Sequence, residues 1–177
     1  MGYMELTTHL KVILDILAQN ELSFSAPLAS ADGKLNISNA SYSVDLADGD
    51  GDDQADQVWL DERTLTTGAT DTLDLYGSLT DVFGMTVNFE KVKAILVAHK
   101  SGTAGLHIGY TATTALAALI GAADANRKIE PNGLFFACSP DDGAAVAAGV
   151  SDSLVLKHDA ADGDPITYQI VIVGVRP

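Results

Sequence analysis

The most regular pattern in the sequence lies at its end, where residues 166–175 read Ile-Thr-Tyr-Gln-Ile-Val-Ile-Val-Gly-Val. The apolar side chains fall into two alternating rows, Ile166, Tyr168, Ile170 and Ile172 in one and Val171, Val173 and Val175 in the other. A strand with apolar residues in both rows is typical of a position inside a sheet, where both of its faces are covered. The pattern therefore predicts that Ile166–Val175 is a central strand.

Shorter runs of the same kind precede this strand. Val92–Ala98 is nearly continuous apolar sequence, and Leu134–Cys138 follows the turn sequence Pro131-Asn132-Gly133. Of the 24 acidic residues, 19 are Asp, which favours turns, and 5 are Glu, which favours helix interiors. Many short strands separated by Gly, Pro and Asp turns indicate a mainly β protein. We expect a jelly-roll-like antiparallel β-sandwich with a short N-terminal helix.

The charge of the chain limits its partners. The length of 177 residues is near the usual size of one domain. With 10 Lys and Arg against 24 Asp and Glu, the formal net charge is −14. Binding to nucleic-acid phosphates or to an anionic membrane depends on clustered cations, which this sequence lacks. We therefore expect no nucleic acid and no membrane among the partners.

Residues 1–20 predict a separate element. Their apolar residues fall on one face at the helical period of 3.6, and Thr7 or Thr8 can cap the helix. The segment is too short to span a bilayer and has no basic start of a signal peptide. We expect residues 1–20 to form an amphipathic attachment helix and residues 21–177 to form a single β-sandwich domain. The predicted interface residues of the helix are Leu10, Ile13, Leu14 and Leu17.

The densest polar feature is the acidic stretch 48–56, Asp-Gly-Asp-Gly-Asp-Asp-Gln-Ala-Asp. Asp48, Asp50 and Asp52 have the alternating spacing with which carboxylates surround Ca²⁺ in an EF-hand loop. Asp53 and Trp59, however, stand where that loop has its turn Gly and its bidentate Glu. The three aspartates are therefore candidate calcium ligands, and a solvated acidic loop is the alternative. No other cofactor is expected.

No residue pattern indicates catalysis. The histidines are scattered without the close spacing of zinc ligands, so we expect them to be buried or interfacial: His9, His99, His107 and His158. The chain has no Gly-x-Ser-x-Gly nucleophile elbow and no Cys–His protease signature. Its single cysteine, Cys138, lies in an apolar run and is expected to be buried and unreactive. We therefore predict no catalytic residue and expect a protein that is not an enzyme.

The order of strands and turns in the second half of the chain is distinctive. It runs through Thr72–Leu75, Gly77–Gly84, Phe89–Ile95, Pro131–Phe135, Ala147–Leu154 and Ile166–Gly174. This succession resembles the small virion structural proteins of tailed bacteriophages that decorate or cement the head shell. The N-terminal segment and the acidic stretch lie outside the resemblance.

The resemblance implies a function and a set of partners. It implies a non-enzymatic capsid decoration or cement protein, a homotrimer that binds the major capsid protein and stabilises the head. Such a protein is made in the host cytoplasm and lies on the capsid exterior of the virion. The N-terminal segment lies outside the resemblance, and its apolar face is expected to contact the capsid or the oligomer through Leu10, Ile13, Leu14 and Leu17.

Two alternatives stay open. One is a tail or fibre component of the virion. The other is a calcium-dependent carbohydrate-binding or adhesion module, in which Trp59, Tyr42 or Tyr110 would stack on sugar. A single Trp is also typical of a hydrophobic core.

Overall fold

A computed structural model describes residues 6–19, 34–109, 116–121, 126–159 and 163–177, with side chains throughout except at 13–19, 34–41, 117 and 118. The chain divides into two compact units. One unit is Thr8–Asp45, and the other combines Leu6 and Thr7 with Leu46–Pro177.

Strands dominate both units. In chain order they are β1 (Thr8–Gln19), β2 (Lys34–Leu46), β3 (Gln57–Leu65), β4 (Thr70–Asp74), β5 (Tyr76–Thr80), β6 (Thr86–Asn88), β7 (Lys91–Ser101), β8 (Leu106–Ile108), β9 (Arg127–Ile129), β10 (Leu134–Cys138), β11 (Ala144–Ala145), β12 (Ser153–His158) and β13 (Ile166–Val175). Within the described ranges the only helix is α1 (Ala117–Ile120).

The larger unit is an antiparallel β-sandwich. One sheet has the strand order β10-β7-β13-β3, with β11 also paired to β7, and the other has the order β4-β12-β8-β9. β5 and β6 form a separate two-stranded sheet. Side chains from both large sheets share one hydrophobic cluster, with Ile95 and Val97 from the first sheet and Leu154 and Leu156 from the second. The mainly β fold predicted from the sequence is confirmed.

The central position predicted for β13 is also confirmed. It lies between β7 and β3 and pairs with both along most of its length. The core row, Ile166, Tyr168, Ile170 and Ile172, is fully buried, while in the other row Val173 and Val175 are buried and Val171 is half-buried. Burial of apolar surface at about 25 cal/mol per Å² makes this strand a major contributor to the stability of the sandwich.

β7 departs from a regular strand at two places. Its register against β13 shifts between Thr167 and Tyr168 and again between Val173 and Gly174. At the second shift Val173 pairs with Ala94 and Gly174 pairs with Val92, so that Lys93 is the extra, bulged residue. A β-bulge turns a side chain out of the alternation of its strand, and this one directs Lys93 to the contacts described below.

The predicted N-terminal helix is wrong. Thr8–Gln19 is strand β1, which forms a two-stranded sheet with β2. The same residues also satisfy the period of a strand, since Leu10, Val12, Leu14, Ile16 and Ala18 alternate with the others. Three β-branched residues between positions 12 and 16 favour the strand over the helix. The interface predicted for Leu10, Ile13, Leu14 and Leu17 stays a prediction, because only Leu10 of these four has a described side chain, which is half-buried.

Candidate functional site

The acidic loop is closed by its own backbone. The Ala55 amide donates to the Ala47 carbonyl at 2.8 Å, and the Ala47 amide donates to the Asp53 carbonyl at 3.0 Å. The Asp48 carboxylate accepts a hydrogen bond from the Leu6 amide at 3.0 Å. The carboxylate of the first predicted calcium ligand is thus already bound to the backbone.

A buried lysine, Lys93, anchors this loop. Its side chain is fully buried, and its Nζ donates to the carbonyl oxygens of Gly51 at 3.3 Å, of Pro140 at 2.9 Å and of Asp141. The Asp53 amide also donates to the Pro140 carbonyl, at 3.1 Å. A buried ammonium is stable only when its donors are paired. Lys93 therefore ties the acidic loop and the turn at Pro140 to strand β7.

The predicted calcium site gains no support from this geometry. Within the described ranges no three or more His, Cys, Asp or Glu side chains come together in a way that could hold a metal ion. Asp48, Asp50 and Asp52 belong to the loop whose Gly51 carbonyl contacts the Lys93 ammonium. A divalent cation placed there would be repelled by that ammonium. The sequence signal for the anchor was a lysine inside the apolar run Val92–Ala98.

A second polar cluster links the edge strand β3 of the five-stranded sheet to the edge strand β4 of the other large sheet. The Tyr168 hydroxyl, which rises from the core, donates to the Asp71 carboxylate at 2.6 Å. The Arg63 guanidinium donates to Asp71 at 3.1 Å and to Asp61 at 2.8 Å. Burial, and then the adjacent Asp71 carboxylate, raise the pKa of the Tyr168 phenol well above its ordinary value, so the phenol stays protonated and donates.

A shallow cleft of about 490 Å³ lies over this cluster, and its lining includes Arg63, Thr66, Thr70 and Asp71. The polar groups facing the cleft are largely bound to one another, as the contacts of Arg63 and Asp71 show. The cluster therefore connects β3 to β4 through the hydrogen bonds between Arg63 and Asp71. Nothing in the sequence pattern identified these residues, because Arg63 and Tyr168 lie far apart in the chain.

Trp59 belongs to the core and not to a sugar-binding surface. Its side chain is buried within the hydrophobic cluster, and its Nε1 donates to the Thr80 carbonyl at 3.1 Å. The Arg63 guanidinium lies over the ring, 5.4 Å from its centroid. Of the other aromatic residues considered for sugar stacking, Tyr42 is exposed, and Tyr110 lies outside the described residues.

Two of the four histidines are buried, as expected. His99 Nε2 lies 2.9 Å from the Ala104 carbonyl oxygen, and His158 Nε2 lies 3.1 Å from the carbonyl oxygen of Asp164. His9 contacts the Asp45 carboxylate within the Thr8–Asp45 unit.

The fourth histidine, His107, is part of a surface network. Its ring nitrogens lie 2.6 Å from the side-chain oxygen of Asn126 and 2.8 Å from the Asp159 carboxylate. The Lys128 ammonium lies 3.0 Å from Asp159 and 3.3 Å from Glu130. The hydrogen bond from Lys128, followed by that from His107, lowers the pKa of Asp159. These contacts join the β8–β9 pair to the end of β12.

Cys138 is less buried than expected. The sequence predicts a buried thiol, but the side chain is half-buried at the end of β10. Burial nevertheless raises the pKa of the Cys138 thiol. Since the thiolate is the nucleophilic form, this shift opposes reactivity at neutral pH.

Among the described residues, the most exposed apolar cluster is the tip of the β5–β6 hairpin, residues 81–85, which we call the hairpin tip. Val82, Phe83 and Met85 are 70%, 72% and 64% exposed. The Asp81 carboxylate accepts hydrogen bonds from the amides of Phe83 at 2.9 Å and Met85 at 2.8 Å. The Gly84 amide donates to the Asp81 carbonyl at 3.0 Å. These hydrogen bonds shape the backbone of the hairpin tip, and its apolar side chains lie in solvent.

The hairpin tip was not among the predicted sites. Met85 alternates with Val87 and Phe89 in the manner of a strand, whereas β6 begins one residue later, at Thr86. The sequence signal for the hairpin tip was Asp81-Val82-Phe83-Gly84, in which the turn-forming residues Asp and Gly flank two large apolar residues.

A second apolar surface is the outer face of the five-stranded sheet. Phe136 pairs with Leu96, Leu96 with Val171, and Val171 with Leu60, so these four side chains form a row across β10, β7, β13 and β3. Leu60 is exposed and the other three are half-buried. The row lies on the face opposite the core.

Comparisons of the chain with protein-family models, with curated proteins and with solved structures give no match. Among the helices in the described ranges, none has the length and apolarity needed to cross a membrane.

Proposed function

We propose that this protein is a non-enzymatic structural protein of a tailed-phage virion, a capsid decoration or cement protein that binds the major capsid protein and stabilises the head. The observation that carries the proposal is the hairpin tip, an exposed apolar projection on a chain with a net charge of −14. Clustered exposed apolar side chains on a hydrogen-bonded turn are a feature of protein-binding surfaces. The resemblance of the strand order to phage head proteins supports the choice of partner.

The physical properties of the sandwich agree with a binding role. Its interior is filled by side chains of both large sheets, and the polar clusters around Lys93 and Tyr168 are bound internally. The function proposed here therefore uses the surface of a stable scaffold. The resemblance implies that the protein binds on the capsid exterior.

The binding experiment mixes the purified protein with phage heads that lack it and measures the bound fraction by cosedimentation and electron microscopy. We expect the wild type to bind heads. Phe83→Ser should weaken binding at least about tenfold, because burial of a Phe side chain contributes roughly 2 kcal/mol. Val150→Ser is the matched control, since Val150 is equally exposed, at 71%, in a turn elsewhere.

Two other outcomes would replace the proposal. Label on tails or fibres rather than heads would favour the tail component. Glycan binding that is lost with a calcium chelator would favour the adhesion module, although the burial of Trp59 removes one of its three candidate stacking residues.

A further inference from the structure

β10 is an edge strand: its outer side has no strand partner within the described ranges, and α1 lies close to β10 and β11. β10 stands at the end of the five-stranded sheet and, within the described part of the chain, pairs with β7 alone. The Gly133 carbonyl accepts a hydrogen bond from the His99 amide at 2.9 Å, and the Ser139 amide donates to the Lys93 carbonyl at 2.8 Å. Because bonding alternates along an antiparallel strand, every second residue between them points its amide and carbonyl away from β7. These residues are Leu134, Phe136 and Cys138.

The open side of β10 is unusual among the edges of the sandwich. Edge strands in monomeric proteins commonly carry charges that prevent pairing with another chain. The strands at the other three edges of the two large sheets follow this rule. Their charged residues are Asp61, Glu62 and Arg63 in β3, Asp71 and Asp74 in β4, and Arg127 and Lys128 in β9. β10 reads Leu-Phe-Phe-Ala-Cys and carries none.

We propose that β10 pairs with β10 of a second copy of this chain, antiparallel about a two-fold axis through Phe136. In this register Phe136 lies opposite its equivalent, and Leu134 lies opposite Cys138 of the second copy. All three are residues whose backbone groups point outward, so the pairing forms hydrogen bonds at both ends and at the centre. The two five-stranded sheets then become one continuous sheet.

The chemistry of the edge identifies the second copy as the occupant. A two-fold contact places the same residues on both sides, and two chains with a charge of −14 each can approach closely only where both lack charge. β10 meets this condition over its whole length. On the outer face, the apolar row that runs from Phe136 to Leu60 would continue across the axis into the second copy, which adds apolar contact to the backbone bonds.

A disulfide tests the register directly. Residues opposite one another in a hydrogen-bonded antiparallel pair have Cα atoms about 5.5 Å apart, which a disulfide can bridge. Leu134→Cys should therefore form a covalent dimer with the native Cys138 under mild oxidation. The double variant Leu134→Cys, Cys138→Ser should not form it. Leu60→Cys, an exposed position on the outer face of the opposite edge strand, is the second control.

Sedimentation of the purified protein measures the same contact without a cross-link. We expect a reversible dimer for the wild type and a dissociation constant at least about tenfold higher for Leu134→Lys, which places a charge on the open edge. Leu134 is 67% exposed, so the substitution should leave the melting temperature of the monomer unchanged. Phe136→Pro provides an independent variant, because it removes an outward amide and no bond to β7.

The outcomes separate this inference from the proposed function. A monomer at all concentrations, or a trimer in which the Leu134→Cys variant forms no disulfide with Cys138, would overturn the β10 pairing. Neither result depends on phage heads. A dimer that fails to bind heads would overturn the proposed function and leave the β10 pairing supported.

Discussion

At the residue scale, Lys93 shows how one side chain can connect distant segments. It lies in an apolar run, yet a bulge turns it toward three carbonyl oxygens that are 42, 47 and 48 positions away in the chain. The side chain makes these bonds in a fully buried place, where an unpaired polar group is costly.

We expect Lys93→Met to lower the free energy of unfolding by about 2–4 kcal/mol, because it removes the buried donor that three carbonyl oxygens share. Chemical denaturation monitored by circular dichroism gives this value. Lys100→Met is the control, since Lys100 is exposed on the same strand, and its change should stay within about 0.5 kcal/mol. Equal losses in the two variants would contradict the anchoring role of Lys93.

A second prediction at this scale concerns Asp159. The pKa of this carboxyl is lowered from its ordinary value of 3.8, first by the hydrogen bond from Lys128 and then by that from His107. A lowered folded-state pKa stabilises the fold above the unfolded value and loses that contribution as pH falls through the folded value. Lys128→Gln should raise the pKa of Asp159 toward 3.8, as measured by carboxyl chemical shifts in an NMR titration. An unchanged titration of Asp159 would show that Lys128 is not the main cause.

At the scale of the elements, the strands of the sandwich followed from local pattern more reliably than the N-terminal segment did. β10 has the bounds that the sequence predicts, and β13 is central as expected. Residues 8–19 satisfy both the helical period through Leu10, Ile13, Leu14 and Leu17 and the strand period through Leu10, Val12 and Leu14. Because both periods fit the same residues, the pattern alone could not decide between helix and strand. In the structure this segment is a strand that pairs with β2.

The close approach of β7 and β13 yields a prediction at this scale. A Cβ atom at Gly174 would overlap the Lys91 carbonyl oxygen and lie 3.0 Å from the Phe89 ring. Gly174→Ala should therefore destabilise the protein by about 3 kcal/mol, because backbone must move to accommodate it. Thermal and denaturant unfolding measure the loss.

Gly149→Ala is the matched control for this experiment. Gly149 has a φ of 68° with open space around it, so alanine there meets only the backbone preference of about 1–2 kcal/mol. A smaller effect at Gly174 than at Gly149 would show that the two strands separate easily.

At the scale of the whole molecule, charge and apolar surface act in opposite directions. The net charge of −14 keeps copies apart in general, whereas the hairpin tip and the β10 edge offer places for contact. In the proposed β10 pairing, the two acidic chains meet along a strand that carries no charge.

Dimerisation through β10 should therefore strengthen as salt is added. The repulsion between the two acidic chains is screened over about 10 Å at 0.1 M ionic strength, while apolar and backbone contacts persist. Sedimentation at increasing sodium chloride should show a falling dissociation constant. A dissociation constant that rises with salt would indicate an interface held by ion pairs instead.

The sequence by itself determined the class of fold, because the alternation of side chains along β7, β10 and β13 and the turns between them are local properties of the chain. It also determined the net charge of −14, which opposes association between copies of the chain. Only the tertiary structure decided which strands lie at the edges of the sheets and which carbonyl oxygens accept from Lys93. It also decided that Val82, Phe83 and Met85 are exposed to solvent. These features depend on contacts between segments far apart in the chain, and no local period records such contacts.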